Sequence, residues 1–89
     1  MFEWDPRKAE ANAAKHGVSF DDAVTVFLDD DALDGPDSQH SRDEMRFLRL
    51  GRVLVVAYTL RRSSDAEAIR IISARRASRR ERAAYGAKD

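Results

Sequence analysis

The stretch MRFLRLGRVLVVAYTL, residues 45–60, decides the fold. Two apolar-rich runs, Met45 to Leu50 and Val53 to Leu60, flank Gly51-Arg52, and such runs around a glycine turn predict an antiparallel hairpin. The segment from Val53 to Tyr58 is apolar on both faces of the pleat, as in a central strand covered on at least one side. A polar segment from Arg61 to Glu67 reads as a turn, and AIRIIS over residues 68–73 as a third strand. Within it Arg70 points opposite to Ile69 and Ile71.

Upstream the apolar spacing becomes helical. Phe2 and Trp4 alternate with Glu3 in a brief strand. Asp5-Pro6 then starts a helix, because Asp accepts from exposed N–H groups and Pro fits the first helical position. This helix runs to Lys15 or His16, where Gly17 ends it. Its face of Ala9, Ala13 and Ala14, with Asn12, predicts close packing on something flat. Ser19 caps a second helix, with Asp22 at its third position and Val18 stapled onto Ala23. Phe20, Ala23, Val24 and Phe27 share one face. Asp29-Asp30-Asp31 would oppose the helix dipole, so the helix ends near Leu28. A short strand near Ala32-Leu33 is compatible with the pattern, and residues 34–44 read as loop. Ser78 with Glu81 forms a capping box for a last helix ending near Tyr85-Gly86. The expected fold class is α+β: an antiparallel sheet of three to four strands, two N-terminal helices and one C-terminal helix, with the helices on one face.

Length and charge narrow the function. Eighty-nine residues predict one domain, residues 1–89. The zero net charge hides an asymmetry: residues 1–44 sum to −8 and residues 45–89 to +8. Eleven of the twelve C-terminal cations are arginine, which suits bidentate phosphate contacts. There is no cysteine, so a reducing, cytoplasmic setting is expected. His16 and His40 alone cannot close a structural zinc site. The run from Val53 to Leu60 is too short to span a bilayer, and the N-terminus has no signal-peptide pattern.

The segment RIISARRASRRER, residues 70–82, is the strongest chemical feature. Its six arginines sit where a strand hands over to a helix start, and backbone N–H groups and the helix dipole there favour an anion. These guanidinium groups are expected to converge on one phosphate-binding concavity, although Arg80 and Arg82 fit a solvated helix face better. Metal-free RNA cleavage needs a base for the 2′-hydroxyl, cations for the phosphoryl oxygens and an acid for the 5′-oxygen. Arginine serves the second task and is a poor base. Lys15, His16, His40, Glu44 and Tyr85 are the candidates for proton transfer. His16 also fits a helix cap and Tyr85 a core anchor, whereas His40 lies in a polar loop ahead of Glu44 and Arg46. Asp29–Asp31 with Asp34 and Asp37 lack calcium-loop spacing and read as a solvated loop, so no metal site is predicted. No P-loop, dinucleotide fingerprint or nucleophile elbow is present, and no cofactor is expected. Phe2 and Trp4 read as core.

In combination, FEWDP at residues 2–6, Lys8, Asn12, KHGVSFDDA at residues 15–23, Val26-Phe27, His40-Ser41, Glu44, Arg46, RIISAR at residues 70–75, Glu81 and Tyr85 resemble the BrnT toxins. The resemblance runs from about residue 2 to residue 85. It implies a RelE-like fold and a ribonuclease toxin of a type II toxin–antitoxin system. It further implies a BrnA-like antitoxin with a ribbon-helix-helix domain, a complex of two copies each, and operator DNA bound only through the antitoxin. By position it implies Arg70, Arg75 and Tyr85 as catalytic residues, with Lys15 and His40, and no metal. Arg61, Arg76 and Arg79 are the expected RNA-binding cations. Two other readings of the same residues stay open: a non-catalytic module that binds nucleic acid or protein through the arginine face, and a structural partner whose acidic and basic halves meet oppositely charged proteins.

Overall fold

The computed structural model describes residues 1–63 and 66–87. Its N-terminal helix, α1 (Pro6–His16), begins and ends as its caps dictate. Asp5 Oδ1 accepts the Arg7 N–H at 2.9 Å, and Gly17, at φ 68°, sends its N–H to the Ala13 carbonyl. Helix α2 (Phe20–Val24) starts at Ser19, whose hydroxyl accepts from the Asp22 N–H. From Thr25 to Leu28 the chain tightens into a 3₁₀ turn. With three residues per turn, Phe20, Ala23 and Val26 line up and are buried, while Phe27, expected on that face, is half-buried.

Five strands form one sheet: β1 (Phe2–Glu3), β2 (Leu33–Pro36), β3 (Arg46–Leu50), β4 (Leu54–Ser63) and β5 (Ala66–Arg76), in the order β1-β5-β4-β3-β2. The sheet is mixed, not the expected antiparallel sheet of three to four strands. β1 runs parallel to β5, with Phe2 opposite Ile69 and Glu3 opposite Arg70. That pairing joins residues 67 positions apart, so local pattern could not announce it. β2 continues through Pro36, which shortens the expected loop. The expected turn from Arg61 to Glu67 is mostly strand, since Arg61, Arg62 and Ser63 pair with Ala68, Glu67 and Ala66. Residues 64 and 65 of that turn lie outside the described residues. The polar composition there reflects a hairpin wet on both faces, not a break in pairing.

Register fixes which side chains share a face. Arg49, Val56, Tyr58, Ile71 and Ala74 lie on one face, where the helices pack. Ile72 is the extra residue of a β-bulge, since Ser73 pairs with Ala57 and Ile71 with Tyr58. The core of Val18, Phe20, Ala23, Val26, Val56, Ile71 and Ala74 fills the space between α1, α2 and the sheet. Gly51 lets the β3–β4 turn close onto the 3₁₀ turn, because a Cβ there would meet Val26 at 3.1 Å. Arg49 spans the same junction, donating to the Val26 and Asp29 carbonyls and to Asp34, each at 3.0 Å.

Of the face expected on α1, Asn12 and Ala9 pack against the rest of the domain, whereas Ala13 and Ala14 are exposed. The Asn12 amide donates to the Val18 and Ala74 carbonyls at 3.0 and 2.8 Å and accepts the Ala74 N–H at 3.1 Å. It pairs Ala74 as a neighbouring strand would, beyond the end of two-residue β1.

Asn12→Ala leaves three buried backbone groups unpartnered. At roughly 1–3 kcal/mol for each such group, unfolding in urea should show a loss of at least about 2 kcal/mol. A loss under about 0.5 kcal/mol, the scale of a neutral surface substitution, would mean that Ala74 finds other partners.

Candidate functional site

The arginines of residues 70–82 do not converge. Arg70 and Arg75 share the sheet face opposite the helices, but five residues of β5 separate them by roughly 15 Å at about 3.3 Å per residue. Arg76, opposite Leu54, points to the helical side. Arg79, Arg80 and Arg82 lie exposed on α3 (Arg79–Gly86). The expected shared concavity is therefore absent: the pleat alternates the strand residues, and the last helix leaves the sheet.

The anion position at the α3 start is taken by the protein's own Glu81. Its carboxylate accepts Arg75 Nη1 and Nη2 at 2.7 and 2.9 Å and the Ser78 N–H at 2.8 Å. Those Arg75 hydrogen bonds hold the Glu81 carboxyl down from its ordinary 4.5 to about 2, and they raise the Arg75 guanidinium in turn. Tyr85 donates to Asp29 Oδ2 at 2.8 Å, and that bond raises the phenol. α3 has no buried residue, and Arg75–Glu81 and Tyr85–Asp29 are side-chain bonds that tie it to the domain body.

A different set of residues meets on the open sheet face. Register places Arg46, Thr59, Arg70 and Glu3 in one row across β3, β4, β5 and β1. Arg61 lies diagonal to Arg70 on the same face. Arg70 Nη1 donates to Glu3 Oε2 at 2.7 Å. Thr59, between the two arginines in the row, is only 2% exposed. Its hydroxyl donates to the Met45 carbonyl at 2.6 Å, fixing the chain as it enters β3.

Arg46 also lines a cleft of about 370 Å³ with Gln39, His40, Arg42, Asp43 and Glu44. The loop around it is closed by short hydrogen bonds. Asp37 N–H reaches the Arg46 carbonyl at 2.8 Å, and Ser41 Oγ donates to the Asp37 carbonyl at 2.7 Å and accepts the Arg46 N–H at 2.9 Å. His40 Nδ1 sits 2.9 Å from Asp37 Oδ2, while the ring stays largely exposed. Lys15 is exposed on α1, in the layer on the other side of the sheet, so it does not join this group.

Sequence reasoning missed Glu3, Arg46 and Asp37 as site residues. Asp37 and His40 are three apart in a polar loop, a spacing that hints at a side-chain pair. Glu3 carried no such signal, because its partner comes from the far end of the chain. Also unforeseen was Asp34, which accepts the buried Tyr58 hydroxyl at 2.7 and 2.8 Å. Burial, with the Asp34 carboxylate beside it, pushes the Tyr58 phenol well up. Among the described residues no three His, Asp or Glu side chains gather as a metal site, and no helix is long and apolar enough to cross a membrane.

The Glu81 carboxyl sits lower folded than unfolded, so its stabilising contribution is complete above the ordinary 4.5 and disappears as pH falls to about 2. Half-exposed pairs contribute about 1 kcal/mol or less. The thermal midpoint of the parent should therefore exceed that of Glu81→Gln by a few degrees at neutral pH, and the gap should close between those two pH values. A gap independent of pH would show that Glu81 acts through packing.

No curated protein sequence matches the chain. Residues 4–81 match the family described as "Ribonuclease toxin, BrnT, of type II toxin-antitoxin system". That match runs from Trp4, beside β1, to Glu81 in the first turn of α3, and so takes in α1, α2 and strands β2 to β5. The chain belongs to the BrnT family of ribonuclease toxins from type II toxin–antitoxin systems.

Proposed function

We propose that this toxin is a metal-independent endoribonuclease that cuts RNA on the open face of its sheet, around Arg70. The observation that carries this reading is the row of Arg46 on β3 and Arg70 on β5, on either side of Thr59 on β4, with Arg61 diagonal to Arg70. Two guanidinium groups flanking one position supply fixed positive charge and planar hydrogen-bond donors for a phosphodiester whose negative charge grows in the transition state. This is the electrostatic task that a metal ion performs in other nucleases. His40, held through Nδ1 by Asp37 in the loop that leads into Arg46, transfers a proton to or from the reacting oxygens. Histidine is the side chain suited to that exchange near neutral pH. Arg79, exposed on α3 beyond the row, holds a neighbouring phosphate, and Arg76, on the helical side of the sheet, is given no part in binding. We assign Arg75 and Tyr85 to positioning α3 and give Lys15 no part in the chemistry.

The rest of the proposal follows the family. The fold is RelE-like, residues 1–89 form one domain, and the protein acts in the cytoplasm. A BrnA-like ribbon-helix-helix antitoxin neutralises it in a complex of two copies each, and operator DNA is bound only through that antitoxin. An acid-poor open face that attracts RNA is also one an antitoxin can silence by covering it.

Purified, antitoxin-free protein should degrade RNA in EDTA and leave 2′,3′-cyclic phosphate and 5′-hydroxyl ends. Arg70→Ala and Arg46→Ala should each lower the cleavage rate by about 100-fold, the scale of removing one charge-stabilising donor. Intact RNA from a folded sample, with ribosomes present and absent, would overturn the reading. Binding without new ends would instead make the chain a nucleic-acid-binding module.

A further inference from the structure

We propose that Glu3 is the general base of the cleavage reaction. The inference rests on the open-face reading above and names the group that reading leaves unassigned. Glu3 is the acid in the row of Arg46, Thr59 and Arg70, and it is placed by the parallel pairing of β1 with β5. The pairing holds it firmly: the Ile69 N–H donates to the Met1 carbonyl at 2.8 Å on one side, and α1 begins at Pro6 on the other. The carboxylate is about one-third exposed and faces the side of the sheet opposite α1 and α2.

Its contacts leave both partners able to act. Arg70 uses Nη1 on Glu3 Oε2. Glu3 Oε1 has no hydrogen-bond partner among the described residues. A guanidinium carries five N–H donors, so Arg70 can keep this bond and present others to a phosphate. Glu3 lies on the side of Arg70 away from Arg46, so it is a phosphate held by Arg70 that comes within reach of the Glu3 Oε1 oxygen. The adjacent ribose brings its 2′-hydroxyl with it.

The step balances. Glu3 takes the 2′-hydroxyl proton as the 2′-oxygen attacks phosphorus. The new P–O2′ bond forms and the P–O5′ bond breaks. The leaving 5′-oxygen takes a proton from protonated His40, whose Nδ1 is occupied by Asp37 and whose Nε2 is therefore the ring nitrogen that serves the substrate. The products are a 2′,3′-cyclic phosphate and a 5′-hydroxyl, and Glu3 and His40 return to their starting states by exchange with water.

The test is Glu3→Gln in the full chain. This variant keeps the side-chain shape and an oxygen that accepts from Arg70, but it cannot take the proton. Single-turnover cleavage should fall about 100-fold or more, within the range of general-base catalysis. The acidic limb of the pH–rate profile should vanish, while affinity for a 2′-O-methylated RNA stays at the parent value and the thermal midpoint falls by no more than the few degrees expected for Glu81→Gln. Glu3→Asp should cleave slowly and keep that limb. A Glu3→Gln protein with the parent's rate and profile overturns the proposal. So does one whose cleavage falls only in step with its affinity, since Glu3 would then merely hold Arg70. If Glu3→Gln is active while Arg70→Ala and Arg46→Ala are inactive, the base assignment alone fails. Full activity in the two arginine variants overturns the open-face reading itself.

Discussion

One amide side chain holds the two layers of this protein together. Asn12 satisfies both backbone groups of Ala74 and the Val18 carbonyl, all in buried surroundings. The long strand β5 meets only two residues of β1 on its outer side, so without Asn12 its edge would carry unpaired N–H and C=O groups. Unpaired edges cost stability and invite pairing with other chains. Because Asn12 belongs to α1, the bond that covers the edge also docks the helix. The core residues Phe20, Ala23 and Val26 then close over Val56 and Ile71 on the same face.

α1 and α2 pack on one face of the sheet, and the other carries both the polar row and buried Val55 and Thr59, with α3 reaching it through the Arg75–Glu81 pair. That division decides where the chemistry lies. The helical face is joined by aromatic rings: Phe27 meets Phe2 and Tyr58 edge-on at 5.2 and 4.9 Å, and Phe47 stacks on Tyr58 at 5.4 Å. The open face carries Arg46, Arg61, Arg70 and Arg75 with Thr59, Ser73 and Glu3. The acidic first half and basic second half meet inside the molecule. Asp34 holds Arg49 and Tyr58, Glu3 holds Arg70, and Asp29 holds Tyr85. The ion pairs Asp34–Arg49 and Glu3–Arg70 therefore offset a small part of the charge asymmetry, and much of the basic character lies on one face and on α3.

Arginine count alone misled about the site. The handover from β5 to α3 looked electropositive because six guanidinium groups are near in sequence. Pleat alternation separates Arg75 from Arg76, and Glu81 fills the anion position at the helix start. Arg46 and Arg70, which lie 24 residues apart in sequence, share a row because each pairs with Thr59.

Local physics was legible without coordinates wherever one residue type has one strong preference. Asp5-Pro6, Ser19 and Ser78 capped their helices, Gly17 took the left-handed turn, and the apolar runs around Gly51 formed the hairpin. Arg70's placement opposite Ile69 and Ile71 followed from the period of two. Tertiary structure alone decided what depends on partners distant in the chain: the parallel seat of β1, Asn12 on Ala74, the bulge at Ile72, and the row that brings Glu3 to Arg70 and Arg46. The reason is physical. Caps, turns and periodicity are set by energies within a few residues, whereas register between distant strands is set by which burial and pairing the whole sheet can satisfy at once.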